Sequence, residues 1–324
     1  MEPVLQVENL WVDYFTRRGP VRTVQDVSFT VEPGEMVGLA GESGSGKSTV
    51  ALAVARLLKS ETATMGGSVT LNGVNFLTLQ GEQLRQTRWK SLALVSQSAM
   101  NALNPVISIF RQFDDMLRAH GNTNTKQNRQ RAQDLLDLVD LPPEVLYRFP
   151  HQLSGGMKQR VVIALALALS PDIIIMDEPT TALDVIVERE ILHKVKSLQR
   201  QFVFAVFFIT HDLDLLLRLT DRVAIMYAGQ LVETGPVRHF ARALHPYSQA
   251  LIQSFPSVRD HQRGRRSGIP GIPPDLSNAP AGCRFHPRCP LVTNVCHTMP
   301  VWESIPGEPQ VAVRCHRWME GGQS

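Results

Sequence analysis

The sequence has little cysteine, no long apolar run and almost no excess of charge of one sign. None of its four cysteines lies before residue 283, so the body of the chain contains no disulfide framework. The longest apolar runs, residues 161–169 and 202–209, are far shorter than the roughly 20 residues that a membrane-spanning helix needs. The formal net charge of +3 is too small to indicate nucleic-acid binding.

The first ten residues, MEPVLQVENL, lack a basic segment followed by an apolar one. This pattern predicts no secretion signal, and we expect a soluble chain in the cytosol. Hydrophobic residues make up 43% and charged residues 19%, which is typical of a globular protein and excludes a disordered, collagen-like or coiled-coil chain. With 324 residues, the chain is long for one compact domain, which predicts a large domain with an appendage.

Five short apolar segments are predicted to be strands that are buried on both faces. Helical patterns follow several of them, and this alternation predicts an α/β domain with a mostly parallel core sheet. Residues 27–31 and 68–71 alternate between apolar and polar side chains, which predicts a smaller antiparallel layer. The five core strands are predicted at residues 36–40, 92–95, 173–176, 203–209 and 223–227.

A helical insertion is predicted at about residues 105–155, where the strand pattern disappears. Ala132, Leu135, Leu136 and Val139 recur there at helical spacing. The polar stretch before them, within residues 121–130, is predicted to be a surface loop, and residues 257–282 have the Pro, Gly and Arg content of a linker. The predicted organisation is a main domain over residues 1–256, a linker over 257–282 and a Cys-rich extension over 283–324.

The strongest motif follows the predicted strand at residues 36–40 and fits the pattern G-x-x-x-x-G-K-[ST]. Glycines let successive backbone N–H groups surround phosphates, and the N-terminus of the following helix, predicted over residues 49–58, favours anions. Lys47 is predicted to reach the β- and γ-phosphates of ATP, and the Ser48 hydroxyl to bind Mg²⁺. The nucleotide-binding residues predicted in this segment are Gly41, Ser43, Gly44, Gly46, Lys47, Ser48 and Thr49.

Two acidic residues end the predicted strand at residues 173–176. Carboxylates at the carboxyl end of a parallel strand lie where ligands bind in such sheets. We expect Asp177 to hold Mg²⁺ and Glu178 to polarise the water that attacks the γ-phosphate. Taken alone, the two acids could equally form a turn into Pro179, but the phosphate-binding motif favours the catalytic interpretation.

A third segment, Leu153-Ser154-Gly155-Gly156-Met157-Lys158-Gln159-Arg160, resembles the signature motif of ABC-type ATPases. Its Ser–Gly–Gly turn precedes an apolar helix predicted at residues 161–169, which would be a second anion-binding helix terminus. In that family, the signature binds the nucleotide held by the other ATPase subunit, which assigns this role to Ser154, Gly155 and Gly156. Met157 stands where the family most often has Gln, a departure typical of the peptide-importer branch.

The resemblance covers residues 4 to about 255 and implies roles for four more residues. Tyr14 resembles the aromatic residue that stacks on adenine, although a core aromatic residue remains the alternative. Gln97 resembles the glutamine that senses Mg²⁺ and the γ-phosphate, and Asp184 resembles the D-loop aspartate at the dimer interface. His211 resembles the switch histidine that contacts the γ-phosphate.

The family resemblance implies a mixed core sheet, an antiparallel β layer, a helical subdomain and a nucleotide sandwich between two ATPase subunits. It also implies separate partners: a homologous or identical second ATPase, two membrane permease subunits and an extracytoplasmic solute-binding protein. The expected location is peripheral, on the cytoplasmic face of the cell membrane. The resemblance favours peptide import, with oligosaccharide or nickel import as one alternative. A non-transport ABC ATPase acting on DNA or ribosomes is another.

The cysteines are spaced Cys283-x5-Cys289-x6-Cys296-x18-Cys315, and this clustering favours a metal site. Zinc sites normally contain tighter C-x2–4-C pairs, whereas looser spacing suits an iron–sulfur cluster, which is larger than one ion. Iron–sulfur, zinc, disulfides and cysteines without metal therefore all stay open. The lead-in at residues 269–274, the first three cysteines and the later Cys315 also resemble the C-terminal extension of oligopeptide and dipeptide importer ATPases. In that branch the extension can carry a [4Fe–4S] cluster, and the resemblance favours one here.

Overall fold

The computed structural model describes residues 2–97, 102–181, 183–254 and 268–318. The described residues form two compact units. The first unit is drawn from residues 1–5, 31–35 and 71–207, and the second from residues 6–30, 36–70 and 208–324. Within the described ranges, no helix combines the length and the apolar character needed to cross a membrane.

The strands are β1 (Leu5–Thr16), β2 (Gly19–Val31), β3 (Met36–Ala40), β4 (Ala63–Leu71), β5 (Val74–Asn75), β6 (Leu92–Val95), β7 (Ile173–Asp177), β8 (Ala205–Ile209), β9 (Arg222–Tyr227), β10 (Gln230–Pro236), β11 (Glu303–Ile305) and β12 (Glu308–Val313). The α-helices are α1 (Lys47–Val54), α2 (Gly81–Lys90), α3 (Ile109–Ala119), α4 (Thr125–Leu138), α5 (Gly155–Ala166), α6 (Val185–Phe202), α7 (Leu213–Leu219) and α8 (Pro246–Ser254).

The second unit contains a mixed sheet in which β3 and β9 run parallel, with Ala40 opposite Ile225. β10 pairs antiparallel with β9 on one side and with β12 on the other. β12 and its antiparallel partner β11 both come from the Cys-rich extension, so the extension adds two strands to this sheet. In a separate sheet, β1 lies between β2 and β4. The predicted segments 27–31 and 68–71 are the ends of β2 and β4.

In the first unit, the buried strands β6 and β7 pair in parallel, as their apolar sequences predict. The helical insertion contains α3 and α4, and α4 also contacts α5. The residues Ala132, Leu135, Leu136 and Val139 are all buried, which confirms the helical spacing. Most of β8 also belongs to this unit, and the boundary between the units falls inside that strand.

Several predicted boundaries were wrong for local reasons. The predicted surface loop at residues 121–130 is half helix, because the Asn124 side chain accepts hydrogen bonds from the N–H groups of Lys126 and Gln127 and starts α4. The helix predicted over residues 49–58 spans Lys47–Val54, and the helix predicted at residues 161–169 begins earlier, at Gly155. The strand predicted from residue 203 begins at Ala205, because Val203 ends α6 with a φ of 56°.

Candidate nucleotide site

The phosphate-binding motif forms a tight loop between β3 and α1 in the second unit. Gly41 has a φ of 156°, and a Cβ there would lie 2.2 Å from the carbonyl oxygen of Met226, at the end of the neighbouring strand β9. Gly46 has a φ of 101°, and its Cβ would lie 2.8 Å from the carbonyl oxygen of Thr23. Both positions therefore exclude a side chain, on conformational and on steric grounds.

Lys47 is buried at the start of α1, and its ammonium group faces back into the loop. Nζ donates to the carbonyl oxygens of Gly41, at 2.8 Å, and Glu42, at 2.9 Å. Ser48 and Thr49 follow in the first helical turn, while Ser43 and Gly44 are exposed at the tip of the loop. Gly46 provides no side-chain cap for α1, so backbone N–H groups at the helix N-terminus are suited to an anion.

Two further predicted site residues also belong to the second unit. His211 is exposed just after β8 and directly before Asp212, whose side chain caps α7 by accepting from the Leu215 N–H. Tyr14 is half-buried on β1, close to the end of that strand.

The predicted Mg²⁺ and catalytic residues Asp177, Glu178 and Gln97 all belong to the first unit. β6 and β7 are in register up to Val95 and Met176, so their carboxyl ends share one edge. Asp177 is buried at the end of β7. Gln97 Nε2 donates to Glu178 Oε2 at 2.9 Å, so the structure brings these two predicted catalytic residues together. Glu178 has a φ of 45°, a conformation that is rare outside glycine and often found at functional sites.

The two segments that resemble the signature and the D-loop line one groove in the first unit. Ser154 caps α5 by accepting from the Met157 N–H, and Asp184 caps α6 by accepting from the N–H groups of Ile186 and Val187. A Cβ on Gly156 would lie 2.7 Å from Val187 Cγ1, so this glycine allows the close approach of the two helix starts. The groove is lined by Ser154, Gly155, Gly156, Met157, Asp184 and Arg160, among others.

All four cysteines, each a free thiol, line one small cavity of the second unit together with His245 and Phe285. Gly282 has a φ of 73°, and a Cβ there would lie 2.5 Å from the Cys296 carbonyl oxygen, which accepts from the Cys283 N–H at 2.9 Å. Among the described residues, no group of three or more His, Cys, Asp or Glu side chains is arranged to hold a metal ion.

Burial raises the pKa of three of these thiols. It raises the pKa of Cys283 to about 11 and that of Cys315 to about 12, and it also raises the pKa of Cys289. With the side chains in this arrangement, the thiols of Cys283, Cys289 and Cys315 are protonated near neutral pH. A bound metal would reverse this preference, because thiolates are the ligands that metals take.

Two residues outside every predicted motif, Arg288 and Tyr247, contact the phosphate loop. Arg288 forms an ion pair with Glu42 at 2.7 Å, and the Tyr247 hydroxyl oxygen accepts a 2.9 Å hydrogen bond from the Glu42 N–H. Arg288 is 246 positions from Glu42, so no local pattern connects them. The only available signal was the position of Arg288 directly before Cys289.

Comparison with known proteins places these motifs in one family. Residues 24–181 match the family model of the ABC transporter, and residues 232–296 match that of the oligopeptide/dipeptide transporter C-terminal region. The dipeptide transport ATP-binding protein DppD of Caldanaerobacter subterraneus is 40% identical over 325 residues, covering 99% of each chain. A protein of Brucella abortus (strain 2308), provisionally named a peptide import ATP-binding protein, is 44% identical over 91% of this chain and 89% of its own.

Solved structures show the same relationship. The dimeric ABC transporter cassette MJ0796 is 29% identical and superposes with a TM-score of 0.65 over 72% of this chain and 99% of its own. A second structure of that cassette, with equal similarity, contains ADP and Pi. The chain belongs to the ABC transporter family. Within that family it is an ATP-binding subunit, an ATPase with the α/β fold of the cassette.

Proposed function

We propose that this chain hydrolyses ATP to power the import of dipeptides or oligopeptides through separate membrane permease subunits. The observation that carries this proposal is that both the ATPase domain and the C-terminal extension match known peptide-transport proteins. The cassette and the C-terminal region each match a family model, and a dipeptide transport protein aligns with 99% of the chain. The proposed location is peripheral, on the cytoplasmic face of the cell membrane.

The second unit supplies the phosphate-binding chemistry in this proposal. Gly41, Ser43, Gly44, Gly46 and Thr49 shape the loop, whose backbone N–H groups surround the phosphates. Lys47 stabilises the charge of the β- and γ-phosphates. His211 steadies the γ-phosphate, and Tyr14 stacks on the adenine. The exposure of His211 and the partial exposure of Tyr14 support these contacts.

The first unit supplies the acid–base chemistry. Glu178 Oε2 accepts the hydrogen bond from Gln97 and, as a carboxylate, is suited to take a proton from the attacking water. Bound Mg²⁺ would neutralise charge on the phosphates. Ser48, Gln97 and Asp177 are the proposed Mg²⁺ ligands, and they fit the ion because all three provide oxygen donors.

A second ATPase subunit, homologous or identical, completes the nucleotide sandwich in the proposal. The groove containing Ser154, Gly155, Gly156 and Asp184 would bind the nucleotide held by the partner. Val185 and Ile186 are 61% and 72% exposed beside this groove, and an interface would cover these apolar side chains. The solved cassette that resembles this chain is a dimer.

The permease subunits are proposed to dock on the helical insertion. Beside the insertion, an apolar groove of the first unit fits an amphipathic helix, and it is lined by Met116 of the insertion together with Trp89, Leu94, Leu103 and Leu165, among others. Residues 98–105, which follow Gln97, are proposed to take part in the same contact, and residues 98–101 of this segment lie outside the described residues. An extracytoplasmic solute-binding protein would deliver the peptide.

The extension is proposed to hold a [4Fe–4S] cluster, with zinc as the alternative. The shared cavity of Cys283, Cys289, Cys296 and Cys315 supports a common ligand set. A tetrahedral zinc ion would need the four sulfurs about 2.3 Å from one point, and the described side chains provide no such arrangement. A cluster is larger than one ion, so it needs ligands that lie further apart than those of zinc, and the loose spacing of the four cysteines favours it on that ground.

The test is anaerobic affinity purification of the tagged chain from detergent-solubilised membranes, with mass spectrometry of the co-eluting proteins. The expected result is two multi-span proteins, with or without a second ATPase. Uptake of a radiolabelled dipeptide by cells carrying wild-type chain or Lys47→Ala then tests the solute, and the variant is expected to abolish uptake. Recovery only with ribosomes or DNA-bound proteins would overturn the transport proposal, and unchanged uptake by the variant would overturn peptide as the solute.

A further inference from the structure

Arg288 connects the Cys-rich extension to the phosphate loop. Its guanidinium makes a two-point ion pair with Glu42, with Nη1–Oε2 at 2.7 Å and Nη2–Oε1 at 3.0 Å. The Arg288 side chain is 5% exposed and that of Glu42 is 24% exposed. A shielded, bidentate pair of this kind fixes both the distance and the orientation of its two side chains.

The extension itself fixes the orientation of the Arg288 guanidinium. Nε donates to the carbonyl oxygen of Pro270 at 2.7 Å, and Nη2 also donates to that of Ile269 at 3.2 Å. Nη1 lies 3.2 Å from the Tyr227 hydroxyl oxygen. Glu42 is therefore attached to a rigid group whose position depends on the backbone that leads into the cysteines.

A second contact holds the backbone of the same glutamate. The Glu42 N–H donates to the Tyr247 hydroxyl oxygen, and the Tyr247 ring packs against Phe285 with centroids 5.3 Å apart. Phe285 lies between Cys283 and Cys289 and is almost fully buried. The extension thus restrains both the main chain and the side chain of Glu42.

Glu42 in turn contacts the central cation of the loop, since its carbonyl oxygen accepts from Lys47 Nζ at 2.9 Å. We propose that Arg288 is a positioning residue for nucleotide binding: through Glu42 it sets the shape and charge of the phosphate loop, so that the extension determines the affinity for ATP. This inference rests on the proposed role of residues 41–48 as the phosphate-binding loop.

The charges of Arg288 and Glu42 are also expected to affect nucleotide binding directly. Glu42 places a carboxylate within a loop that receives the triphosphate, and like charges at short range repel. Arg288 neutralises that carboxylate and holds it to one side. Removing the guanidinium alone leaves the negative charge beside the nucleotide, whereas removing both charges does not. Arg288→Ala is therefore expected to weaken ATP binding more than the double variant Glu42→Gln/Arg288→Ala.

The test is a fluorescence titration of the full chain with a fluorescent ATP analogue and Mg²⁺, under anaerobic conditions. Arg288→Ala is expected to raise Kd on the order of tenfold, which equals about 1.4 kcal/mol. Glu42→Gln and the double variant complete a double-mutant cycle, in which the double variant is expected to recover part of the lost affinity. Glu42→Gln removes only the carboxylate charge. If Arg288→Ala does not fold, the Kd of Glu42→Gln still tests whether the ion pair affects nucleotide binding.

Arg314 offers a matched control, since it precedes Cys315 as Arg288 precedes Cys289. It is also buried, and its Nη2 pairs with Asp26 Oδ2 at 2.7 Å rather than with the phosphate loop. Arg314→Ala is expected to lower thermal stability to a similar extent but to change Kd less than twofold. Equal losses of affinity in the two arginine variants would overturn the inference, because they would show general disruption of the extension.

A Kd that is unchanged in both Arg288→Ala and Glu42→Gln would also overturn it. Lys47→Ala separates this failure from a failure of the proposed function. If Lys47→Ala loses nucleotide while Arg288→Ala binds as wild type does, only the positioning role of Arg288 is wrong. If Lys47→Ala binds nucleotide normally, the loop assignment itself is wrong.

Discussion

The side-chain amide of Gln97 donates a 2.9 Å hydrogen bond to the carboxylate of Glu178 across 81 positions of sequence. The two residues meet because β6 and β7 run parallel and end at the same edge of the sheet. Thr181 Oγ1 donates to the same carboxylate oxygen at 3.2 Å, so Gln97 and Thr181 both help to orient Glu178. A carboxylate oriented in this way is suited to act on a water molecule at that edge.

Glu178→Gln is expected to leave ATP binding intact and to reduce hydrolysis by a factor on the order of 10²–10⁴. The amide has nearly the same size as the carboxylate, but it cannot accept a proton from water. Phosphate release measures hydrolysis, and a nucleotide titration of the same sample measures binding. Full turnover by this variant would contradict the assignment of Glu178 as the base.

Gly41→Ala is expected to distort the phosphate loop and to weaken both folding and nucleotide binding. The new Cβ would overlap the Met226 carbonyl oxygen, which belongs to backbone and cannot move aside cheaply. We expect a loss of folding free energy on the order of 2 kcal/mol. Urea unfolding and a nucleotide titration measure the two effects.

Gly268→Ala is the matched control, because it has open space around its Cβ position and no positive φ. It should unfold at the wild-type urea concentration and bind nucleotide as the wild type does. If Gly41→Ala behaved in the same way as this control, the close approach to Met226 would not constrain the loop.

Sequence patterns predicted the strands whose formation depends on the composition of their own residues. The apolar runs that became β3, β6, β7 and β9 are buried on both faces, so their composition alone identifies them. The strands β11 and β12 were missed because they are short and only three consecutive residues of β12 are apolar, and because their place depends on the pairing of Glu233 with Val313. Such a pairing is a tertiary event without a local signal.

The candidate site also contains some residues that the sequence alone identifies and others that it does not. Lys47, Asp177 and Ser154 belong to contiguous motifs, which a single sequence displays. The ion pair between Glu42 and Arg288 depends on how the extension folds back onto the second unit, and neither residue type is unusual at its position. The sequence could therefore predict the motifs of the site. It could not predict the long-range contacts that hold those motifs in position.

Cys289→Ala is expected to release metal from the extension and to loosen its packing. Removing one of four ligands leaves an incomplete set, and the chain around the cysteines loses the cross-link that a bound metal would supply. Iron, sulfide and zinc analysis of anaerobically purified protein measures the metal, and limited proteolysis measures the packing. Val301→Ala, on a side chain that is 68% exposed, is the control. Unchanged metal content in Cys289→Ala would show that the proposed ligand set is wrong.

Glu233→Gln is expected to destabilise the second unit and to change how its stability depends on pH. Glu233 is fully buried, and its carboxylate accepts from His239 Nε2 at 2.6 Å and from the N–H groups of Leu244 and His245 at 2.7 and 3.0 Å. Burial alone would raise the pKa of Glu233, but these hydrogen bonds, led by that from His239, outweigh it and lower the pKa below its ordinary value of 4.5.

A carboxyl group whose pKa is lower in the folded than in the unfolded state binds fewer protons when folded. Its stabilising effect is therefore complete above the unfolded pKa, near 4.5, and disappears as the pH falls through the folded value. At neutral pH, the glutamine variant should lose on the order of 2–4 kcal/mol, because its amide offers only one acceptor oxygen to three donors. Urea unfolding at a series of pH values should show the difference between wild type and variant shrinking only below about pH 4.5. A difference that stayed constant down to the acid transition would mean that Glu233 is not held as a carboxylate by these donors, and that its role is one of shape alone.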